Sequence, residues 1–177
     1  GSGLAGAVAA LTAAEENKQV ILITKCKELL SGNTPWAQGG IAYTTHKDST
    51  QLFKKDIINA GTKHSNEAAV HQLVTQGPKL IEDLLINKFS IPFQTDENEQ
   101  FIFTSEAAHS VSRIIHCQDQ TGLIIHEHII KRIKNNNNID IYENYTAIDL
   151  LTYSHHSQNS MDIYKKPTCF GAIILNN

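Results

Sequence analysis

The sequence begins with Gly1-Ser2-Gly3-Leu4-Ala5-Gly6, a complete G-x-G-x-x-G pattern, and this stretch decides the fold. In a dinucleotide site the first glycine makes a tight turn, the second admits the pyrophosphate to the backbone, and the third lets helix and strand pack closely. Residues 4–14 are mostly small or apolar and predict a helix whose N-terminus faces the phosphates. The pattern needs a preceding strand, and no strand or initiator methionine stands before Gly1. We therefore expect a piece of a longer protein, cut just inside the pattern.

The bulk composition is that of an ordinary soluble globular domain. The chain has 177 residues, 41% of them hydrophobic and 19% charged, which is enough for one domain with a real core. A net charge of -3 with scattered basic residues gives no reason to expect nucleic-acid binding. No apolar run approaches the roughly 18 residues of a membrane span. The three cysteines are far apart and form no C-x-x-C, which indicates a reducing compartment, and we place the protein in the cytoplasm.

Residues 20–24, Val-Ile-Leu-Ile-Thr, form a short apolar run typical of a buried parallel strand. A helix followed by such a strand, with the missing strand restored in front, is a βαβ unit of a doubly wound sheet. The second strand of a nucleotide-binding unit usually ends in an acid for the ribose hydroxyls. Here Thr24 and Lys25 hold that place, so Lys25 is either a solvated surface lysine or a cation near the adenosine ribose or phosphate.

The remaining elements follow from hydrophobic spacing. Helical spacing covers 49–60, 66–87 and 121–134, and Gly77-Pro78 is expected to kink or divide the second of these. In that helix, apolar residues at intervals of three and four from Ala69 to Leu85 predict its buried face. An acidic turn between apolar segments predicts a hairpin over 89–104. Strands are predicted at 139–143, 147–151 and 170–175, with a polar turn at 154–160.

Residues 31–40 contain four glycine or proline residues and the only tryptophan, and they predict a loop. Such a loop either aims several backbone N–H groups at one anion or ring edge, or is a plain surface loop, which composition alone favours. Residues 106–119 bring together two acids, two imidazoles and one guanidinium, as a small dicarboxylate site requires. The alternative is that Asp119 or Thr121 caps the next helix and that His109 and His116 are ordinary polar or core histidines.

The glycine turn, SGNTPWAQGGIA at 31–42 and SEAAHSVSRIIHCQDQTG at 105–122 closely resemble the flavoprotein family of L-aspartate oxidase. That family is related to the flavoprotein subunits of succinate dehydrogenase and fumarate reductase. The resemblance covers nearly the whole chain. It implies non-covalent FAD and oxidation of L-aspartate to iminoaspartate, with oxygen or fumarate reoxidising the flavin, as the first step of quinolinate and NAD synthesis. L-aspartate and fumarate are the substrates it implies, and contact with a quinolinate synthase stays open.

The fold expected from this resemblance is α/β: an incomplete Rossmann-like FAD-binding domain over 1–177. It has a parallel sheet with flanking helices and a β-meander at the C-terminal end. The first strand and a C-terminal part are missing from it, and 89–104 is where an inserted substrate-capping region would start.

The resemblance also implies which residues act. Those implied to bind FAD, at its phosphates, ribose, flavin and adenine, are Ser2, Gly3, Leu4, Ala5, Lys25, Asn33, Thr34, Pro35, Trp36, Ala37, Gln38, Gly39, Gly40, Thr146 and Ala147. Glu106 matches the acid that orients the substrate and recognises its ammonium, and the same active-site segment contains His109, Ser110, Arg113 and His116. The catalytic arginine and much of the dicarboxylate clamp are expected beyond Asn177, so this segment alone should not turn over.

Three departures from the family pattern bear on these expectations. Ala107 and Ala108 replace two glycines, which would cost on the order of 1 kcal/mol if either needed a positive φ. Ser112-Arg113 replaces a pair of arginines, so one cation is lost. Asn33 replaces the histidine that anchors FAD covalently in the dehydrogenases, and an amide cannot form that bond. The loss of this anchor favours the oxidase over succinate dehydrogenase.

Two other functions stay open, a fumarate reductase-type flavoprotein and a truncated, non-catalytic nucleotide-binding remnant. No metal is expected, because His126 and His128 are two apart on a helix and do not share a face. Cys117 is interpreted as a small buried residue rather than a nucleophile.

Overall fold

The computed structural model describes residues 1–44 and 48–177. They form two compact units, residues 1–32 with 129–177, and residues 33–128. The division between residues 128 and 129 falls within helix α4 (Thr121–Lys134). The predicted bounds of this helix are confirmed. Within the described part of the chain, no helix combines the length and apolar character needed to cross a membrane.

The first unit is organised around a parallel pair of strands with a helix packed on it. Helix α1 (Leu4–Glu15) contacts strands β1 (Val20–Thr24) and β4 (Ile139–Glu143). The two strands run parallel in a register that pairs Val20 with Ile139 and Thr24 with Glu143. Buried alanines on α1 present little side-chain volume, which lets the helix lie close to the sheet. The predicted α/β fold with a parallel sheet is confirmed.

The C-terminal strands form an antiparallel element. Strands β5 (Tyr145–Thr152) and β6 (Cys169–Asn176) pair along their whole lengths. Asn144, with a positive φ of 63°, separates β4 from β5. The predicted polar turn between β5 and β6 contains two short helices, α5 (Tyr153–His156) and a 3-10 helix at Ser160–Tyr164.

Two α-helices of the second unit each begin with a side-chain cap. In α2 (Thr50–Ala60) the Ser49 hydroxyl accepts from the Leu52 N–H, and in α3 (Glu67–Leu80) the Asn66 side chain accepts from the Ala69 N–H. Phe53, Val70 and Val74 join the two helices in one buried cluster.

The predicted effect of Gly77-Pro78 and the predicted apolar face are both only partly right. The chain stays helical through Pro78 and then widens into a π-helix at Ile81–Lys88. Val70, Val74, Ile81 and Leu85 are buried on one face. Leu73 and Leu80 are about half exposed (54% and 52%), because the helix buries a narrower stripe than its apolar spacing predicts.

Short antiparallel contacts complete the second unit. Strands β2 (Ile41–Ala42) and β3 (Ile114–Ile115) pair with each other. The predicted hairpin over 89–104 is present in a minimal form, with Thr95 bridged to Phe101 around a turn at Asp96–Glu99. Thr104 is bridged to Ile114, so the segment between them is closed into a loop that carries most of the predicted active-site residues.

Candidate functional site

The glycine turn at the start of the chain is packed tightly against helix α1. A Cβ atom on Gly6 would overlap the carbonyl oxygen of Gly1, so only glycine allows this approach. Gly3 is the N-cap of α1, and its carbonyl accepts the Ala7 N–H at 2.9 Å. The first N–H groups of α1 therefore end at the turn, where an anion would meet the positive end of the helix.

Ser2 fastens this turn to the segment after β1. Its side chain is buried, and its hydroxyl donates to the Leu29 carbonyl at 2.7 Å. The hydroxyl is therefore engaged with the protein backbone. The contribution of Ser2 to a ligand would come through its main chain.

A cavity of about 370 Å³ opens in front of the turn, and we call it the N-terminal cavity. It brings together five residues that the sequence analysis implicates in FAD binding. These are Ser2, Gly3, Lys25, Thr146 and Ala147. Leu4 and Ala5 are outside its lining, although they supply the first two residues of α1.

Several residues of the cavity wall were not predicted from the sequence. Ile23, Cys26 and Tyr145 line it, together with Ser31 and Gly32. These residues could have been found from their positions on the predicted strands, because the carboxyl end of β1 and the start of β5 meet at this edge of the sheet.

Lys25 is exposed at the wall of the N-terminal cavity. Its carbonyl accepts from the Asn177 side chain at 3.4 Å, and that amide also donates to the Thr146 hydroxyl at 2.9 Å. These contacts connect the end of β1 to the start of β5. Lys25 thus places a cation at the wall of the N-terminal cavity.

The predicted flavin-lining loop is held by backbone contacts. A 3-10 turn at Thr34–Trp36 is followed by the Ala37 carbonyl, which accepts the Gly122 N–H at 2.8 Å. A Cβ on Gly122 would overlap the Thr34 carbonyl, so the start of α4 fits closely against this loop. Trp36 is 80% exposed, so its indole is not part of the core.

Glu106 lies beside the same loop. A Cβ on Gly39 would lie 2.6 Å from Oε1 of Glu106, so the glycine leaves room for the carboxylate. The Glu106 carbonyl accepts the His109 N–H at 3.0 Å and closes a turn through Ala107 and Ala108. Neither alanine has a positive φ. Replacing the family's glycines therefore introduces no backbone strain here.

Arg113 is the centre of a buried group of charges that we call the Arg113 cluster, with Asp48, Asp56, His109 and Ser110. The Arg113 side chain is fully buried and binds both oxygens of Asp48, through Nε at 2.7 Å and Nη2 at 2.8 Å. Its Nη1 donates to Oδ2 of Asp56 and to Nδ1 of His109, both at 2.7 Å. Its positive charge is therefore balanced within the protein.

The two carboxylates of this cluster were not found from the sequence. Asp56 also accepts from the Ser110 N–H at 2.9 Å and from the Ser110 hydroxyl at 2.5 Å. Burial alone would raise the pKa of Asp56, but the hydrogen bonds from Ser110 and Arg113, with the charge of Arg113, lower it to about 2. Burial likewise opposes the charge of Arg113, whereas its bonds to Asp48 and Asp56 raise the pKa of the guanidinium.

His116 is placed apart from the Arg113 cluster, next to Gly40. Its Nε2 atom is buried and has no hydrogen-bond partner among the described residues. A Cβ on Gly40 would lie 3.1 Å from the Cβ of His116, so the ring begins beside the predicted flavin-lining loop. Such orphaned polar atoms are uncommon in folded proteins, and a ligand or a water molecule would satisfy this one.

Cys117 is buried, as expected from the sequence. Its thiol donates to the Pro92 carbonyl at 3.4 Å, and burial raises the pKa of that thiol. A raised pKa keeps the sulfur in its unreactive protonated form.

The residues of the N-terminal cavity fit the diphosphate and adenosine portion of a dinucleotide. The glycine turn gives the backbone access that a pyrophosphate needs, and α1 and Lys25 supply positive charge. The cavity also falls within the roughly 300–1,000 Å³ typical of ligand sites.

Comparison with known proteins also indicates a dinucleotide-binding domain. The family model described as "FAD binding domain" matches residues 1–176. An L-aspartate oxidase of Halobacterium salinarum is 39% identical over 152 residues, which are 86% of this chain and 29% of that protein. One of Clostridium acetobutylicum is 34% identical over 177 residues, which are 100% of this chain and 37% of that protein. The chain thus spans about a third of the length of these relatives.

Among solved structures, an Escherichia coli quinol fumarate reductase chain superposes with a TM-score of 0.82 at 20% identity. The superposition covers 99% of this chain and 28% of the other. At this identity the likeness supports the fold.

Proposed function

The chain belongs to the FAD binding domain family, and from this premise we propose that it forms the FAD-binding part of an L-aspartate oxidase. The observation that carries the proposal is the N-terminal cavity, where the glycine turn, Lys25, Thr146 and Ala147 share one lining next to the start of α1. The similarity to L-aspartate oxidases over most of this chain supports the choice of reaction. Residues 1–177 would be one partial FAD-binding domain, with the inserted substrate-capping region starting within 89–104.

In this proposal the N-terminal cavity holds the diphosphate and adenosine. The main chain of Ser2 and Gly3 and the first N–H groups of α1, at Leu4 and Ala5, would bind the phosphates. Lys25 would contact the ribose or a phosphate, and Thr146 and Ala147 would lie along the adenine. All of these groups are either backbone or at the cavity wall, which suits a cofactor that binds without a covalent bond.

Residues Asn33–Gly40 would line the flavin. Asn33 carries an amide, which is not a nucleophile and leaves the cofactor non-covalent. Gly39 leaves space for the Glu106 carboxylate, so the acid and the loop would face the same part of the site. The orphaned Nε2 of His116 would find its partner here.

The reaction removes two electrons and two protons from L-aspartate to give iminoaspartate. The bound flavin supplies the acceptor for the hydride on the α-carbon of the substrate. Glu106, an exposed carboxylate, would pair with the α-ammonium and so favour aspartate over succinate. Oxygen or fumarate would take the electrons, and the product would enter quinolinate and NAD synthesis, with quinolinate synthase as a candidate partner and the cytoplasm as the location.

The test is an assay of the intact protein for peroxide formed in air with L-aspartate or succinate as substrate, together with acid precipitation to release the cofactor. We expect peroxide with L-aspartate only, and FAD in the supernatant. Activity with succinate but not aspartate would identify a fumarate reductase-type flavoprotein instead. Intact protein that carries no FAD would show a non-catalytic remnant.

A further inference from the structure

The hydrogen bond between Arg113 and His109 fixes where the imidazole of His109 carries its proton. Nη1 of Arg113 lies 2.7 Å from Nδ1 of His109. A guanidinium has only donors, so Nδ1 must accept through its lone pair. The ring hydrogen of the neutral imidazole is therefore on Nε2, the nitrogen on the other side of the ring.

Asp48 and Asp56 determine the orientation of the donor. Asp48 binds Nε and Nη2 of Arg113 as a bidentate pair, and Asp56 takes Nη1 from a second direction. The guanidinium carbon also lies 4.6 Å from the ring centre of Phe53. With four of its contacts set by other residues, the guanidinium cannot turn away from His109.

The main chain next to His109 is held by the carboxylate of Asp56. Asp56 accepts both the N–H and the hydroxyl of Ser110, the residue that follows His109. On its other side, the His109 N–H donates to the carbonyl of Glu106 at 3.0 Å. The ring is thus placed through its own Nδ1 and through the backbone on both sides, three residues from the proposed ammonium-binding acid.

We propose that Asp48, Asp56 and Arg113 are positioning residues that hold His109 as its Nε2–H tautomer, so that it donates a hydrogen bond to a carboxylate of the dicarboxylate substrate. The substrate half of this inference rests on the function proposed above. Arg113 itself acts through His109, because its charge is balanced by two aspartates and its side chain is fully buried. His109 is half-buried, so its ring retains access to solvent and to a ligand.

The tautomer is measured by long-range ¹H–¹⁵N correlation spectra of the intact protein labelled with ¹⁵N-histidine. His109→Gln identifies the signals of His109. His128 is the internal control, since its Nδ1 lies 2.8 Å from the Ile124 carbonyl and must donate, which gives the opposite tautomer. We expect the Nε2–H pattern for His109 and the Nδ1–H pattern for His128. An Nδ1–H pattern for His109 would overturn the proposal.

The positioning role is tested by a kinetic cycle with Asp48→Asn and His109→Gln. We expect each single change to raise the KM for L-aspartate roughly tenfold, and the double variant to resemble His109→Gln alone. If the increases in KM of the two single variants multiply in the double variant, Asp48 does not act through His109. If the wild-type protein does not oxidise aspartate, the proposed function fails, whereas the tautomer measurement still decides the positioning role.

Discussion

The N-terminal cavity and the Arg113 cluster are built from different kinds of groups. The wall of the cavity is made mostly of glycines and small side chains, with the larger Ile23 and Tyr145 and one exposed lysine. In the Arg113 cluster one guanidinium and two carboxylates are buried and hydrogen-bonded to one another. The cavity gives a ligand access to backbone groups. In the Arg113 cluster, by contrast, the charged groups are paired with one another.

This difference predicts different sensitivities. Added side-chain volume should damage the cavity, because Gly6 already touches the turn. Removal of charge should damage the Arg113 cluster, because each ion there is compensated by its neighbours. The following changes test this contrast.

Arg113→Met should have the largest effect. It leaves the carboxylates of Asp48 and Asp56 buried without their cation, and we expect the free energy of unfolding of the intact protein to fall by about 3–5 kcal/mol. Urea unfolding followed by circular dichroism measures the change. The exposed Lys131→Met is the matched control and should change the free energy by less than about 0.5 kcal/mol. Equal effects would show that the cluster is not a buried ion network.

Gly6→Ala should weaken FAD binding by roughly 10- to 100-fold, because the added Cβ forces the helix away from the turn. Gly77→Ala is the matched control, since a Cβ there meets nothing within 4 Å. FAD binding by the intact protein, after removal of its cofactor, is measured by quenching of flavin fluorescence. Unchanged affinity in Gly6→Ala would place the cofactor away from the glycine turn.

Acid should weaken the Arg113 cluster through Asp56. The pKa of Asp56 is lowered from 3.8 to about 2, so its stabilisation is present above pH 3.8 and is lost as the pH falls toward 2. The contribution is about 2 kcal/mol. We expect the difference in unfolding free energy between wild type and Asp56→Asn to shrink between pH 5 and pH 2. The exposed Asp140→Asn serves as the control, and a constant difference for Asp56→Asn would contradict the lowered pKa.

Glu106→Gln should have the smallest but most specific effect. The neutral amide keeps the shape but loses the charge that pairs with the substrate ammonium, so aspartate oxidation should fall roughly tenfold more than fumarate reduction. Steady-state assays of both reactions measure the ratio, with Glu127→Gln as the matched control at an exposed glutamate of α4. Equal losses in the two reactions would refute the role of Glu106.

The sequence predicted the elements whose pattern is local. The glycine turn, α1, β1 and α4 follow from adjacent residues and from spacing along one segment, and their bounds agree with the structure. In α3, by contrast, the exposed Leu73 and Leu80 show that apolar spacing alone overestimates how much of a helix is buried.

The partners of Arg113 were not predictable in this way. Asp48 and Asp56 lie 65 and 57 positions before it, and an isolated aspartate gives no local signal of a distant cation. The pairing of β1 with β4 joins residues that are still farther apart in the sequence, and it depends on the whole fold. The glycine turn was therefore predictable from adjacent residues, whereas the long-range charge pairs of Arg113 were not.

The most direct test of the central claim is the visible absorption spectrum of the purified intact protein, recorded without air before and after addition of L-aspartate. We expect a yellow protein whose flavin band bleaches on that addition. A colourless protein, or a band that L-aspartate leaves unchanged, would contradict it.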